Sequence, residues 1–167
     1  LNPEYMQFAI SLAAKAEQEG EVPVGAVVVL DGKVIGQGWN RSITQHDATA
    51  HAEIMALRQA GKVIGNYRLL DAELYVTLEP CPMCASAMIH ARIKKVYFGA
   101  PDLKTGAAGT VMNLLDYPAA NHKVAYEGGV LEDECREQLQ AFFRRRRAEK
   151  KAAKQAAKAD DNGDPCA

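Results

Sequence analysis

The 167-residue sequence predicts an α/β fold in three α-β-α layers, a five-stranded mixed central sheet with helices on both faces. Three observations predict it. The run "VPVGAVVVL" (22–30) is apolar at nearly every position, which marks a strand covered on both sides. Asp31 and Gly32 separate it from "KVIGQGW" (33–39) and supply the positive backbone angles of a tight hairpin turn. "AELYVTL" (72–78), a helix from Cys81 to Arg92, and "KKVYFGA" (94–100) follow so closely that they read as a right-handed crossover between parallel strands.

The remaining elements follow in chain order. Asn2, Pro3 and Glu4 start a first helix, in which Met6, Ala9, Ile10, Ala13 and Ala16 recur at helical spacing until Gly20 stops it. A second helix runs from Thr49 or Ala50 to Ala60 and is closed by Gly61. A Gly-rich loop occupies 101–109, "HKVAYE" (122–127) is a last strand, and a terminal helix runs from Leu131 to about Lys158. One domain over residues 1–150 is expected, followed by a basic-to-acidic tail over 151–167 that frays and ends disordered in "DDNGDPCA".

Composition narrows the function classes. Residues 1–143 carry 12 basic and 17 acidic side chains, and residues 144–167 carry 8 and 4, so any surface for a polyanion is local to the C-terminal region. Of four cysteines only Cys81 and Cys84 form a close pair, a poor disulfide framework and a better fit to a metal or catalytic pair in a reducing compartment. With no signal-peptide pattern and no apolar run near eighteen residues, a cytoplasmic protein without a membrane partner is expected.

The chemistry concentrates at two helix starts. "TAHAEIMAL" (49–57) sets His51 and Glu53 two apart, a spacing that does not share a helix side but can serve a target beyond the helix end. "EPCPMC" (79–84) sets Cys81 and Cys84 three apart in a first turn, where the helix dipole and free amides favour thiolates. Two thiolates and His51 are three ligands of the right type for Zn²⁺, and the lack of a fourth in either motif marks a catalytic site over a closed structural one. Glu53 then stands beside the open position as an acid/base. Taken singly, the Cys pair also fits a structural zinc half-site and the His/Glu pair a plain helix surface; their joint occurrence at two helix starts favours catalysis.

"HAE" with "PCPMC" resembles the signature of the zinc-dependent nucleoside and nucleobase deaminases. The likeness extends through "EVPVGAVVV", "GWNRSI", "DATAHAEIMALRQA", "VYFGAPDLKTGAAG" and "FFRRRR" and, over about residues 3–150, is to the bacterial tRNA adenosine deaminases. That resemblance implies the cytidine-deaminase-like fold, a homodimer, and hydrolytic deamination of the wobble adenosine in a tRNA anticodon stem-loop to inosine. Zn²⁺ held by His51, Cys81 and Cys84 would supply hydroxide at neutral pH, while Glu53 carries protons to purine N1 and to the leaving ammonia.

Further residues are candidates for substrate contact. Asn40 could read the base edge or ribose, against a turn-forming role. Val24 could wall the flipped purine, against plain core packing. Asp102 and Lys104, in a loop whose glycines permit close approach, could meet a ribose hydroxyl and a phosphate. Phe142 and Arg144, with the basic run to Arg147, could hold the anticodon stem, although one aromatic of the Phe142–Phe143 pair would dock the helix. Cys135 reads as core, and His46, His90 and His122 lack ligand spacing. Two rivals are a free-base or nucleotide deaminase such as the guanine deaminases, and a non-catalytic zinc-stabilised RNA-binding module. The basic terminal helix argues against the first, and a free Glu53 beside the ligands against the second.

Overall fold

The structure, a computed structural model, describes residues 1–162. Its elements are α1 (Pro3–Gln18), β1 (Gly25–Leu30), β2 (Lys33–Trp39), α2 (Ala52–Ile64), β3 (Glu73–Leu78), α3 (Pro82–His90), β4 (Lys95–Ala100), β5 (Ala125–Glu127) and α4 (Glu132–Asn162). The strands form one sheet in the order β2-β1-β3-β4-β5. β1 is antiparallel to both β2 and β3, whereas β3, β4 and β5 are parallel, which gives the mixed five-stranded sheet the sequence predicts.

The sheet explains why its central strands are apolar at most positions. Ala26 and Val28 of β1, Leu74 and Val76 of β3, and Val96 and Phe98 of β4 pack with Ala52, Ala56, Ala60, Cys84 and Met88 from α2 and α3. Val27, Val29, Tyr75 and Tyr97, one residue out of phase, pack with Met6, Ala9 and Leu12 of α1 and Cys135 of α4. Period-two alternation thus sends every second residue into a different apolar layer.

Two expected boundaries move. α2 runs through Gly61 and stops at Gly65, whose left-handed backbone (φ 74°) provides the helix end. α4 runs to Asn162 where an end near Lys158 is expected, and residues 163–167, the rest of the expected disordered end, lie outside the described residues.

α2 lies unusually close to the sheet. A Cβ on Gly36 would overlap the Ala56 carbonyl, and one on Gly38 the Ala52 carbonyl, so helix backbone rests on strand backbone. This contact fixes the N-terminal end of α2, and with it His51 and Glu53, against the sheet.

Candidate active site

His51 is the N-cap of α2 and Cys81 the N-cap of α3; both have extended backbones, with ψ of 157° and 172°, and neither side chain caps its own helix. Their carbonyls already accept the first helical bonds, from Met55 and Ala85, which leaves both side chains free to turn toward one point. Cys84 joins them from the first turn of α3, after Pro82. His51 Nδ1 lies 3.5 Å from both Cys81 Sγ and Cys84 Sγ, and the three ligand atoms lie within 4.8 Å of one another.

That spacing tests the donor set directly. Zn–S bonds of about 2.3 Å and Zn–N bonds of about 2.0–2.1 Å in a tetrahedral array separate nitrogen from sulfur by about 3.6 Å. The observed 3.5 Å fits this value, and two thiolates with one imidazole are chemically suited to zinc. Among the described residues no other group of histidines, cysteines and carboxylates is gathered in this way.

The protein groups also polarise one another. Donation from Cys84 pulls the Cys81 thiol down to about 4, with His51 adding to the effect. Cys84, held by the same bond and by burial, is pushed up. The Cys81 sulfur raises His51 above its ordinary value. Glu53, in the first turn of α2 and only 4% exposed, is raised to about 7, chiefly by burial and further by Cys81. A carboxyl in that range can accept and release protons near neutral pH.

A cleft of about 150 Å³ joins these groups to Val22, Val24, Asn40, Leu78, Glu79, Asp102 and Thr105. Val24 is buried in its wall. Asn40 has a task that sequence reading did not find: its Oδ1 accepts from the Ala52 amide at 2.9 Å, capping α2 from outside where His51 does not. Its amide nitrogen keeps two donors for a ligand. Asp102 lines the cleft with its carboxylate oriented by its own loop, accepting from the Lys104 and Thr105 amides (2.9 and 3.1 Å) and the Thr105 hydroxyl (2.9 Å). Lys104 stands outside the cleft.

Beyond Asp102 the cleft opens into a groove of about 690 Å³ that includes Val22, Leu78, Leu103, Leu139 and Phe143. The groove in turn meets a basic hollow formed by Lys104, Gln140, Phe143, Arg144 and Arg147. One expectation is corrected here. Phe142 is 2% exposed and buried beneath Arg145 and Arg146, so it docks α4 and cannot touch substrate; Phe143, 43% exposed, is the aromatic on the groove. Consecutive helical residues point about 100° apart, so only one of the pair can face outward. The arginines divide likewise. Arg145 pairs with Glu17 and Arg146 donates to the Gly20 carbonyl, tying α4 to α1, whereas Arg144, paired with Glu137, and Arg147 face the hollow.

Sequence reading also missed two buried carboxylates that hold the loops beside the cleft. Glu21 accepts from the amides of Ile43 and Thr44 and the Thr44 hydroxyl. Glu79 accepts from the amides of Asp102, Ala108 and Thr110 and the Thr110 hydroxyl. The one available signal was an acidic residue directly after an apolar strand, in "TLEPC".

Residues 2–100 match the family described as the cytidine and deoxycytidylate deaminase zinc-binding region. Over 150 residues the chain is 55% identical to a tRNA-specific adenosine deaminase of Haemophilus influenzae, covering 89% of this chain and 87% of that protein. It is 51% identical to the enzyme of the same name from Bacillus subtilis, covering 90% and 93%. A solved structure from work on A-to-I editing by tRNA:A34 deaminases superposes with a TM-score of 0.80 at 43% identity, covering 83% of this chain and all of that one.

Proposed function

Since the chain belongs to the cytidine and deoxycytidylate deaminase family, and within it to the tRNA-specific adenosine deaminases, we propose that it hydrolyses the wobble adenosine of a tRNA anticodon to inosine and ammonia. The observation that carries this reading is the continuity of surface. A buried carboxylate beside a His/Cys/Cys triad opens into an apolar groove and then a basic hollow, a path suited to a flipped base on a polyanionic strand.

His51, Cys81 and Cys84 would hold the zinc ion. Bound there, zinc acts as a Lewis acid that lowers the pKa of water toward neutrality. The chain supplies the rest. Glu53 takes a proton from the attacking water, delivers it to purine N1 as C6 is attacked, then takes the second proton from the new C6 hydroxyl and passes it to the amine, which departs as ammonia. Its burial keeps bulk water from competing for those protons. Asn40 offers N–H donors to the base or ribose, and Val24 packs against the purine. Asp102 has about four lone-pair sites, three of them filled by its own loop, which leaves one to accept from a ribose hydroxyl. Lys104, Arg144 and Arg147 neutralise phosphates, and Phe143 offers a stacking face.

The test is to incubate the zinc-loaded protein with unmodified tRNA, free adenosine and free guanine while following inosine and ammonia. Inosine should form from tRNA, with little turnover of either small substrate. Ammonia from guanine alone would replace this reading with that of a free-base deaminase, and no turnover at all would favour a binding module.

We further propose that the protein acts as a homodimer in the cytoplasm. A groove of about 680 Å³ between α2 and α3, lined by Ile54, Leu57, Tyr67, Ala87 and Ala91 among others, supports a second copy as its occupant, and the free Cys81, Cys84 and Cys135 suit a reducing compartment. No helix among the described residues is long and apolar enough to cross a membrane. Sedimentation velocity should give twice the chain mass, and Leu57→Glu should reduce it to one.

A further inference from the structure

Glu79 stands at the end of β3, two residues before Cys81, and is 1% exposed. A carboxylate buried that deeply needs partners, and its partners are four neutral donors from one loop. They are the amides of Asp102 (3.1 Å), Ala108 (2.9 Å) and Thr110 (3.2 Å), and the Thr110 hydroxyl. A Cβ on Gly106 would run into the same carboxylate, so the loop closes around it without side chain between. Backbone bonds flank it on both sides: the Glu79 amide donates to Ala100 O (2.9 Å), and the Ala107 amide to Pro80 O (2.9 Å).

The 101–110 loop has little regular structure of its own, and its strand-like feature is a single bridge between Ala108 and Asn113. Yet it carries Asp102 and Thr105 into the cleft. We propose that Glu79 is a positioning residue that fixes this loop relative to the Cys81–Cys84 segment and so governs capture of the polynucleotide. The proposal rests on the reading of the cleft as an RNA-base pocket. Glu79 and Cys81 share one short stretch of backbone, so the anchor of the substrate loop is keyed to the metal ligands. A carboxylate suits this task because all its lone pairs accept, and charge-assisted bonds hold several amides at once.

Glu79→Gln keeps the shape but turns an NH₂ group against N–H donors, leaving at least one amide without an acceptor. Thr110→Val removes one donor from the other side, and Thr110→Ser restores it. With zinc-loaded full-length protein and an anticodon stem-loop RNA, Glu79→Gln should raise KM about tenfold while kcat and bound zinc hold near wild type. Hydrogen exchange should accelerate at the amides of Asp102, Ala108 and Thr110, with β3 and β4 still protected. Thr110→Val should raise KM by a smaller factor, Thr110→Ser should return it, and Glu79→Gln with Thr110→Val together should match Glu79→Gln alone. Should Glu79→Gln fail to fold, the Thr110 pair decides the matter.

Loss of zinc or uniformly faster exchange in Glu79→Gln would make the residue simple core support and overturn the proposal. An unchanged KM in Glu79→Gln or Thr110→Val, with wild type active, would overturn it as well and leave the assigned function standing. A wild-type protein inert on RNA would instead defeat the function reading.

Discussion

α1 begins with Asn2, whose side chain accepts from the Glu4 amide at 3.0 Å; α2 and α3 begin with His51 and Cys81, whose side chains make no capping hydrogen bond. The first is a stabilising start, contributing about 1 kcal/mol on the usual scale for such caps. The other two give up that contribution and aim the cap side chain outward, where it meets Cys84. A helix start can serve the fold or a ligand, and here the division follows which end faces the cleft. Asn40 reconciles the two demands at α2 by capping Ala52 from the end of β2.

The largest effect should come from turning the second kind of start into the first. His51→Asn puts a strong capping residue at α2, so it should abolish zinc binding and deamination. After chelator treatment, however, its melting temperature should exceed that of similarly treated wild type by about 2–4 °C, from about 1 kcal/mol of added capping. Metal analysis and calorimetry check both halves, and a lower melting temperature would show that His51 already stabilises the helix start by other means.

Glu53→Gln should come next. It leaves the three ligands and the capping scheme alone, so zinc content should equal wild type while kcat falls by about 10²–10⁴. Zinc loss on the scale of Cys84→Ala would make Glu53 a ligand and remove it from proton transfer.

The smallest effects separate the two asparagines. Asn40→Ala and Asn2→Ala should each cost about 1 kcal/mol in denaturant unfolding, since each orphans one first-turn amide. Only Asn40→Ala should also reduce kcat/KM on stem-loop RNA, because its amide faces the cleft. Equal activities for the two variants would assign Asn40 to capping alone.

What could be read from the sequence was whatever lay in local spacing. The triad was visible because its members sit at two helix starts, and the layer order because strand runs and the hairpin turn are short-range patterns. The phase of α4 was not, because choosing Phe143 over Phe142 needs the helix fixed against α1, which Arg145 and Arg146 accomplish across more than a hundred residues. Glu79 and Glu21 were hidden for the same reason. Their donors lie 22 to 31 positions away, and an isolated glutamate carries no sign of which amides will surround it. The Gly61 stop failed because a glycine can sit inside a helix when a left-handed position follows at Gly65.

The bare contact of α2 on Gly36 and Gly38 bears on how the enzyme works in time. With the carbonyls of Ala52 and Ala56 set directly against Gly38 and Gly36, α2 and β2 behave as one plate, and the helix start that carries His51 and Glu53 keeps its height above the sheet. The 40–47 and 101–110 loops lack such backbone packing and are tied to the same frame by the buried carboxylates Glu21 and Glu79. Adjustment that admits a base and releases inosine is therefore left to these loops, within the tethers that Glu21 and Glu79 set, while His51 and Glu53 stay in place.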